Sequence, residues 1–481
     1  MITFLLSFVA LIIGYMVYGK FVEKVFGINE NSETPAYTKT DGVDYVPMDS
    51  GRGSLVQLLN IAGLGPIFGP IAGALWGPVA FLWIVLGGIF AGAVHDYFSG
   101  MLSVRNGGAQ LPDIVGKYLG QGMRQFVNVF SVVLLILVGT VFVAGPANLI
   151  VTLTPSWISL SVVTAVIFIY YILATLLPID KIIGKIYPLF GLLLIVMAVG
   201  VGAGLIVKGY HIPELTLSNL HPKNLPMWPL LFITIACGAI SGFHATQSPL
   251  IARTIQNEKY GRKVFYGMMI GESAIALVWA AAGMAVFGGT GGLQEALAAG
   301  GPAGVVRTVS ITMLGAIGGT LAIIGVIILP ITSGDTAFRG ARMVIADFFK
   351  MSQKPIPKRL AISIPIFVIA FGLSKIDFNF LWRYFSWANQ TTAMILLWAA
   401  AMYLVKEKRL HWIATIPAIF MTAVTFTYLL QAPEGFGLPT SISYPVGLLI
   451  TLGITVLFAS KVIKERKIET YRNVPVSEQN P

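Results

Sequence analysis

The chain has 481 residues, of which 56% are apolar and 11% charged, with a net charge of +11 and a mean hydropathy of +0.80. Soluble domains carry about a quarter charged residues, so this composition, with its long apolar runs, excludes a soluble enzyme. The basic residues are scattered between apolar segments, which argues against a nucleic-acid binder, and the single cysteine excludes an intrachain disulfide and a cysteine-rich zinc site.

The first predicted membrane span covers residues 2–19. No positive charge precedes it and no small-residue cleavage site follows it, so we expect a retained span and not a removed signal peptide. The polar loop that follows, residues 20–52, is the only sizeable one in the sequence.

Further apolar segments have the length of about 20 residues that a membrane helix requires. They cover residues 54–74, 78–103, 123–151, 158–177, 187–208, 228–252, 264–288, 314–349, 359–374, 378–405, 410–430 and 442–463. The stretch 291–310 is too polar and glycine-rich to cross lipid, and we predict a helical hairpin there. The sequence therefore predicts an all-α polytopic membrane protein with about 13 transmembrane helices.

The basic residues test this count, because cytoplasmic loops carry the excess of positive charge. With these spans, 27 of the 32 lysines and arginines fall on one side of the membrane. A wrong count would mix the two sides. We therefore predict a multi-pass protein with its N-terminus outside and its C-terminus in the cytoplasm.

Two predicted spans are interrupted by glycine and proline near their middle. The second contains NIAGLGPIFGP over residues 60–70, and the seventh contains CGAISGFHATQSP over residues 237–249. Glycine lowers helix stability and proline removes an amide donor. We therefore expect the backbone hydrogen bonds of both helices to be interrupted at these clusters. Isolated Gly-Pro pairs often serve packing, but two clusters at corresponding positions favour a binding site.

The two interruptions lie five spans apart, and an odd offset makes the two spans cross the membrane in opposite directions. This pattern is typical of inverted five-helix repeats. We predict an N-terminal extra helix and cytoplasmic loop over 1–53, a first repeat over 54–210 and a second, inverted repeat over 225–405. Two C-terminal helices and a cytoplasmic tail occupy 410–481.

The second half of each broken helix should present its N-terminus to the membrane midplane, where free amides and the helix dipole attract an anion. We expect these amides near Ile67 to Gly69 and after Gly242, with a carboxylate as the ligand. The candidate substrate-binding residues are Asn60, Gly63, Gly65, Pro66, Ile67, Phe68, Gly69, Ser241, Gly242, Phe243, His244 and Gln247.

Ionisable residues inside spans are costly and are functional candidates by default. The candidates for ion or proton coupling are His95, Asp96, Glu272 and Asp335. His95 and Asp96 could instead anchor a helix end, and Asp335 could form an ion pair with Arg339 one turn later. Glu272 has no local partner in the sequence, which favours a protonatable role.

Two hydroxyls and the possibility of a metal complete the candidates. Thr332 and Ser333 follow a proline in the ninth span and could hold a cation together with carbonyls around Gly63, or could bond back to the preceding helical turn. His95, Asp96 and His244 could in principle bind a metal, but no short ligand spacing is present. We expect no metal and no cofactor, with a proton or sodium as the coupling ion.

Several long segments resemble the carbon starvation protein A family. They are DYVPMD over 44–49, GPIFGPIAGALWGP over 65–78, HDYFSGMLSVR over 95–105, SGFHATQSP over 241–249 and TSGDTAFR over 332–339, and the similarity extends over roughly 40–460. The resemblance implies a transporter of the bacterial inner membrane with a LeuT-type fold. It also implies uptake of peptides or proton-coupled uptake of pyruvate, and it assigns no site residues.

These observations together predict a secondary active transporter that imports peptides under carbon starvation by ion-coupled symport with alternating access. A proton-coupled pyruvate symporter is the alternative, and a nutrient-binding membrane sensor is the alternative from another class. No ATP-binding or hydrolase motif is present, so we do not expect an enzyme. The expected partners are the small-molecule substrate and the lipid bilayer, and the oligomeric state stays open.

Overall fold

The computed structural model describes residues 1–42, 44–176, 180–353 and 355–472, without the side chains of 176, 180–188 and 467–472. The end of the predicted span 158–177 lies outside the described residues. Within the described ranges the chain is helical, with one isolated bridge between Met48 and Ile255.

The helices are numbered here in chain order, without the four-residue helix Pro35–Thr38. They are α1 (Ile2–Phe26), α2 (Ser50–Ile61), α3 (Gly65–Trp76), α4 (Val79–Arg105), α5 (Leu111–Leu119), α6 (Gln121–Leu153), α7 (Leu160–Leu176), α8 (Asp180–Val207), α9 (Leu230–Thr234), α10 (His244–Ala252), α11 (Glu258–Val286), α12 (Thr290–Phe348), α13 (Ile356–Leu373), α14 (Phe378–Lys406), α15 (Trp412–Gln431) and α16 (Thr440–Arg472).

The predicted polytopic, all-α membrane architecture is confirmed. By length and composition, ten of the described helices could cross a membrane, and the bent pair α2 and α3 makes eleven when it is counted as one span. The two other predicted spans correspond to the shorter helix α7 and to the interrupted pair α9 and α10.

The first helix is longer than the sequence predicted. It continues to Phe26. Gly27, which has a left-handed conformation with φ of +63°, then ends the helix. Val22 and Phe26 are fully buried, and the Arg105 guanidinium lies 4.0 Å from the centre of the Phe26 ring. The sequence analysis ended this helix too early because the charged residues of its last turns obscured the apolar face that packs against the protein.

Helix α12 includes the segment predicted as a surface hairpin. Gly301 and Gly315 have non-helical dihedral angles, with φ of +61° and +73°, and divide α12 into three helical pieces. The first two pieces correspond to the predicted hairpin, and the third is the ninth span. Val305 and Val309 are fully buried, so one face of this hairpin packs against the rest of the protein.

The two broken spans pair crosswise. Helix α2 contacts α10, and α3 contacts α9, so the first half of each span packs against the second half of the other. Only antiparallel spans can pair in this way, which confirms the predicted opposite directions. Helices α4, α11 and α14 surround the pair, and α6 packs along α12 beside it.

Candidate functional site

The first break is short and tightly packed. Residues 62–64 separate α2 from α3, and the two helices meet at an angle of 50°. A Cβ atom added at Gly65 would lie 2.3 Å from the Cβ and Sγ atoms of Cys237 in the other broken span. Because only a glycine allows this approach, Gly65 brings the two breaks into direct contact.

The second break is longer and depends on a partner helix. Residues 235–243 are not α-helical, and Gly238 has a φ of +88°. Asn389 of α14 holds this segment: its Oδ1 accepts a hydrogen bond from the Phe243 amide at 2.6 Å, and its backbone carbonyl accepts one from the Gly242 amide at 3.1 Å. Asn389 Nδ2 also donates to the Ser241 hydroxyl at 3.1 Å.

The amides that the sequence predicted for anion binding are already bonded inside the protein, which corrects that expectation. The amides of Ile67 and Phe68 both donate to the Leu64 carbonyl, at 3.1 and 2.9 Å, and those of Gly242 and Phe243 donate to Asn389. The physical reason is that the helical turn of α3 starts before Pro66. Among the described hydrogen bonds, none is donated by the amides of Leu64 and Gly65, so the amides left for a ligand lie one turn earlier.

Four ionisable residues that the sequence placed in three different spans form one buried cluster. His95 Nδ1 and His244 Nδ1 each lie 2.8 Å from a different oxygen of the Asp96 carboxylate. His244 Nε2 lies 3.4 Å from Glu272 Oε2. All four side chains have no solvent-accessible surface. Helices α4, α10 and α11 therefore deliver their charges to one point beside the second break.

Cys237 borders this cluster, although the sequence analysis considered it only as a single cysteine that excludes an intrachain disulfide. Its Sγ, the His244 ring nitrogens and the Glu272 carboxylate provide ligand atoms that lie within 4.8 Å of one another. Asn389 was also missed by the sequence analysis. The available signals were the position of Cys237 inside the broken segment and an amide in the middle of an apolar span.

The other coupling candidates lie at a second location, on α12. Ser333 Oγ is 3.1 Å from the Leu329 carbonyl and 3.3 Å from the Leu59 carbonyl, which belongs to α2. Thr332 Oγ1 donates to the Leu329 carbonyl at 2.7 Å. Asp335 forms the ion pair with Arg339 that its spacing suggested, at 3.2 Å. The back-bonding alternative therefore describes Thr332, whereas Ser333 also reaches the end of α2.

The remaining candidates line the two breaks. Phe68 packs against the rings of Phe378 and Trp382 on α14, and the backbone at Gly69 adjoins the Thr234 carbonyl. Asn60 is buried in the last turn of α2. The Gln247 amide group donates to Thr246 Oγ1 at 3.0 Å, while its Oε1 makes no hydrogen bond.

This arrangement has two capacities. A buried set of carboxylates and imidazoles can hold a proton or a cation, since each charged group at that depth needs a partner of opposite charge. Unbonded amides at a helix break can hold an anion. The predicted assignment of individual residues to substrate binding or to coupling stays a prediction.

Comparison with known proteins gives the family. The family profile described as carbon starvation protein CstA matches residues 1–164, 147–287 and 280–428. An uncharacterized membrane protein of Haemophilus influenzae is 50% identical over 352 residues, which cover 62% of this chain and 95% of the relative. The chain therefore belongs to the CstA family.

Two relatives carry functional names. The peptide transporter CstA of Escherichia coli is 24% identical, with 86% of this chain and 78% of the relative covered. The pyruvate/proton symporter BtsT of Escherichia coli is 26% identical over 332 residues, covering 56% of this chain and 46% of the relative. The alignment thus spans about half of the length of the pyruvate symporter.

Solved structures give the fold. A manganese transporter of Eremococcus coleocola superimposes with a TM-score of 0.52 at 14% identity, covering 86% of this chain and 93% of that protein. At this identity the likeness shows the fold, which is that of a membrane transporter.

Proposed function

We propose that this member of the CstA family is a secondary active transporter of the bacterial inner membrane that imports a carboxylate-bearing nutrient by alternating access. Short peptides are the first candidate, and pyruvate is the alternative. Both substrates carry a carboxylate, and the family includes a relative named for each. We orient the chain with its N-terminus outside, following the distribution of basic residues.

The direct contact between the two antiparallel breaks carries this proposal. Gly65 of one break packs against Cys237 of the other, and the unbonded amides of Leu64 and Gly65 lie at this contact. Irregular backbone at membrane depth is typical of substrate sites at the interface of inverted repeats. The substrate carboxylate would bind these amides when the two halves separate.

For the coupling ion we propose sodium, held between α2 and α12. The Ser333 hydroxyl lies 3.3 Å from the Leu59 carbonyl, and Thr332 is its neighbour. Hydroxyl and carbonyl oxygens are the ligands that hard cations prefer. A proton is the alternative, supported by the name of the pyruvate/proton relative.

Uptake into proteoliposomes tests the substrate and the ion separately. Labelled dipeptide and labelled pyruvate are offered with an inward sodium gradient, with an inward proton gradient or with neither. We expect uptake of the dipeptide, stimulated by sodium. Exchange of preloaded for external substrate identifies a carrier, whereas a sensor would bind the nutrient without exchanging it and would contradict the proposal.

A pair of hydroxyl variants tests the sodium site. Ser333→Ala should remove the stimulation by sodium while leaving the protein folded. Thr320→Ala is the matched control, because Thr320 is exposed on the same helix and donates only to the Ala316 carbonyl. If Ser333→Ala keeps its sodium stimulation, or if only the proton gradient drives uptake, sodium coupling at this position is wrong.

A further inference from the structure

Three residues around the second break present metal-binding atoms to one point. Cys237 Sγ, a ring nitrogen of His244 and a Glu272 carboxylate oxygen lie within 4.8 Å of one another, and all three side chains are buried. Cys237 and His244 stand near the two ends of the break, and Glu272 comes from the neighbouring helix α11. The three ligand atoms are thus supplied by the second broken span, which provides Cys237 and His244, and by α11, which provides Glu272.

The imidazole and carboxylate atoms at this point make no hydrogen bonds, whereas Cys237 Sγ donates to Ser241 Oγ at 3.5 Å and accepts from Asn389 Nδ2 at 3.6 Å. His244 Nε2 and both Glu272 carboxylate oxygens are buried without a hydrogen-bond partner among the described residues. A buried polar atom left in this state costs about 1–3 kcal/mol, and more when it is charged. His244 Nε2 and the Glu272 carboxylate lie next to each other, so one bound cation would give both of them a partner.

The distance between them fits a metal better than a hydrogen bond. His244 Nε2 and Glu272 Oε2 are 3.4 Å apart. In a tetrahedral zinc site with bonds of about 2.0–2.3 Å, neighbouring ligand atoms are about 3.3–3.8 Å apart. The histidine–glutamate pair already has this spacing.

The orientation of His244 supports the same interpretation. Its Nδ1 lies 2.8 Å from Asp96 Oδ2, which leaves Nε2 directed away from Asp96 and toward Glu272. Metal-ligating histidines almost always use their other nitrogen to donate to a carboxylate or carbonyl. Asp96 is in turn bonded to His95 at 2.8 Å, so the orienting carboxylate is itself held in place.

We propose that Cys237, His244 and Glu272 bind a divalent transition-metal ion of the zinc type, with Asp96 as the positioning residue. A thiolate, an imidazole and a carboxylate suit zinc, whereas manganese, magnesium and calcium favour oxygen ligands. A divalent cation also neutralises the thiolate and the Glu272 carboxylate. Three protein ligands leave a fourth position for a water or a ligand oxygen.

The metal would tie the second break to α11. Without it, the backbone between Cys237 and His244 is held mainly by Asn389, and with it the segment is pinned near both of its ends. This inference does not rest on the proposed transport activity, because metal content is measured on the purified protein whether or not it transports peptides.

Metal analysis of the full-length protein in detergent is the test. After treatment with a chelator and addition of Zn²⁺, we expect one zinc per chain. Co²⁺ in place of zinc should give a thiolate-to-cobalt charge-transfer band, and since Cys237 is the single cysteine, that band identifies the ligand without any substitution. Absence of both stoichiometric zinc and this band in folded protein would overturn the proposal.

Variants then assign the ligands. Cys237→Ser and Glu272→Gln should each weaken zinc binding by at least about tenfold, and Asp96→Asn by about 10–100-fold while keeping the cobalt band. His211→Gln, at an exposed histidine of an outer segment, is the control and should bind normally. Equal zinc affinity in all of these proteins would show adventitious binding and contradict the site.

Discussion

The two broken spans occupy corresponding places in the chain but are built in different ways. The first break is three residues long, contains no ionisable side chain and is defined by the close approach of Gly65 to Cys237. The second is nine residues long, is bonded to Asn389 and lies against a buried cluster of histidines and carboxylates. Steric fit therefore shapes the first break, and polar partners shape the second.

This difference suggests separate roles for two segments that lie in antiparallel spans packed crosswise. A break without polar side chains can offer only backbone groups, which suits recognition of a carboxylate common to many substrates. A break with fixed partners can hold an ion. The crosswise packing of the two spans brings the breaks together, and His244, at the end of the second break, lies in the buried cluster with Asp96 and Glu272.

The largest effect is expected from removing Asn389, the residue that holds the second break. Asn389→Ala leaves the Phe243 amide and the Ser241 hydroxyl without Asn389 side-chain atoms. An unsatisfied buried group costs about 1–3 kcal/mol. The Ser241 hydroxyl keeps Cys237 Sγ as a partner at 3.5 Å, so we expect the lost Phe243 bond to lower the free energy of unfolding by about 1–3 kcal/mol. Denaturant or thermal unfolding in detergent measures it.

Asn148→Ala is the matched control for this variant. Asn148 donates only to the Ala144 carbonyl within α6, so its removal should cost about 1 kcal/mol or less. If both variants lose the same stability, Asn389 is an ordinary buried residue and the second break does not depend on it.

The sequence predicted the frame of this molecule better than its site. Apolar run length gave the spans, and the Gly-Pro clusters near Gly65 and Gly242 gave both breaks, because each of these signals is local. The meeting of Asp96, His244 and Glu272 could not be predicted, since it depends on how three helices pack. Asn389 and Cys237 were missed because a single polar residue in an apolar span looks the same whether it serves packing or a site.

The free amides show the limit of local rules most clearly. Proline and glycine correctly marked where the span formed by α2 and α3 is interrupted, but the turn that bonds Ile67 and Phe68 to Leu64 starts before Pro66. A shift of one turn moved the unbonded amides to Leu64 and Gly65. Helix ends are not determined to this accuracy by composition alone.

A second prediction sharpens the role of the first break. Gly65→Ala places a methyl group 2.3 Å from Cys237, and such overpacking costs about 1–3 kcal/mol. Uptake should fall, and the bulkier Gly65→Leu should abolish it. Gly53→Ala is the control in the same broken span, because a Cβ there meets no atom within 4 Å and alanine favours a helix. Normal uptake and stability in Gly65→Ala would mean that the two breaks do not need to touch.

The smallest expected effect concerns how two helices of the broken spans, α2 and α10, begin. Helix α2 starts with Asp49, whose Oδ2 accepts from the Gly51 and Arg52 amides at 2.8 and 3.2 Å, whereas α10 starts at a break without a side-chain cap. The hydrogen bonds from Arg52 and then Gly51 lower the pKa of Asp49 below its ordinary value. A lowered pKa means that the cap stabilises α2 fully above the ordinary pKa of the carboxyl, and that this stabilisation is lost as the pH falls through the lower folded value.

Hydrogen exchange at amides 51–53 should therefore show protection, corrected for intrinsic exchange rates, that declines in acid. Asp49→Asn keeps a capping oxygen but cannot titrate, so its protection should not change over the same range. If the asparagine variant shows the same acid dependence, another group controls the start of α2, and the contrast between its charged cap and the uncapped start of α10 has no effect on stability.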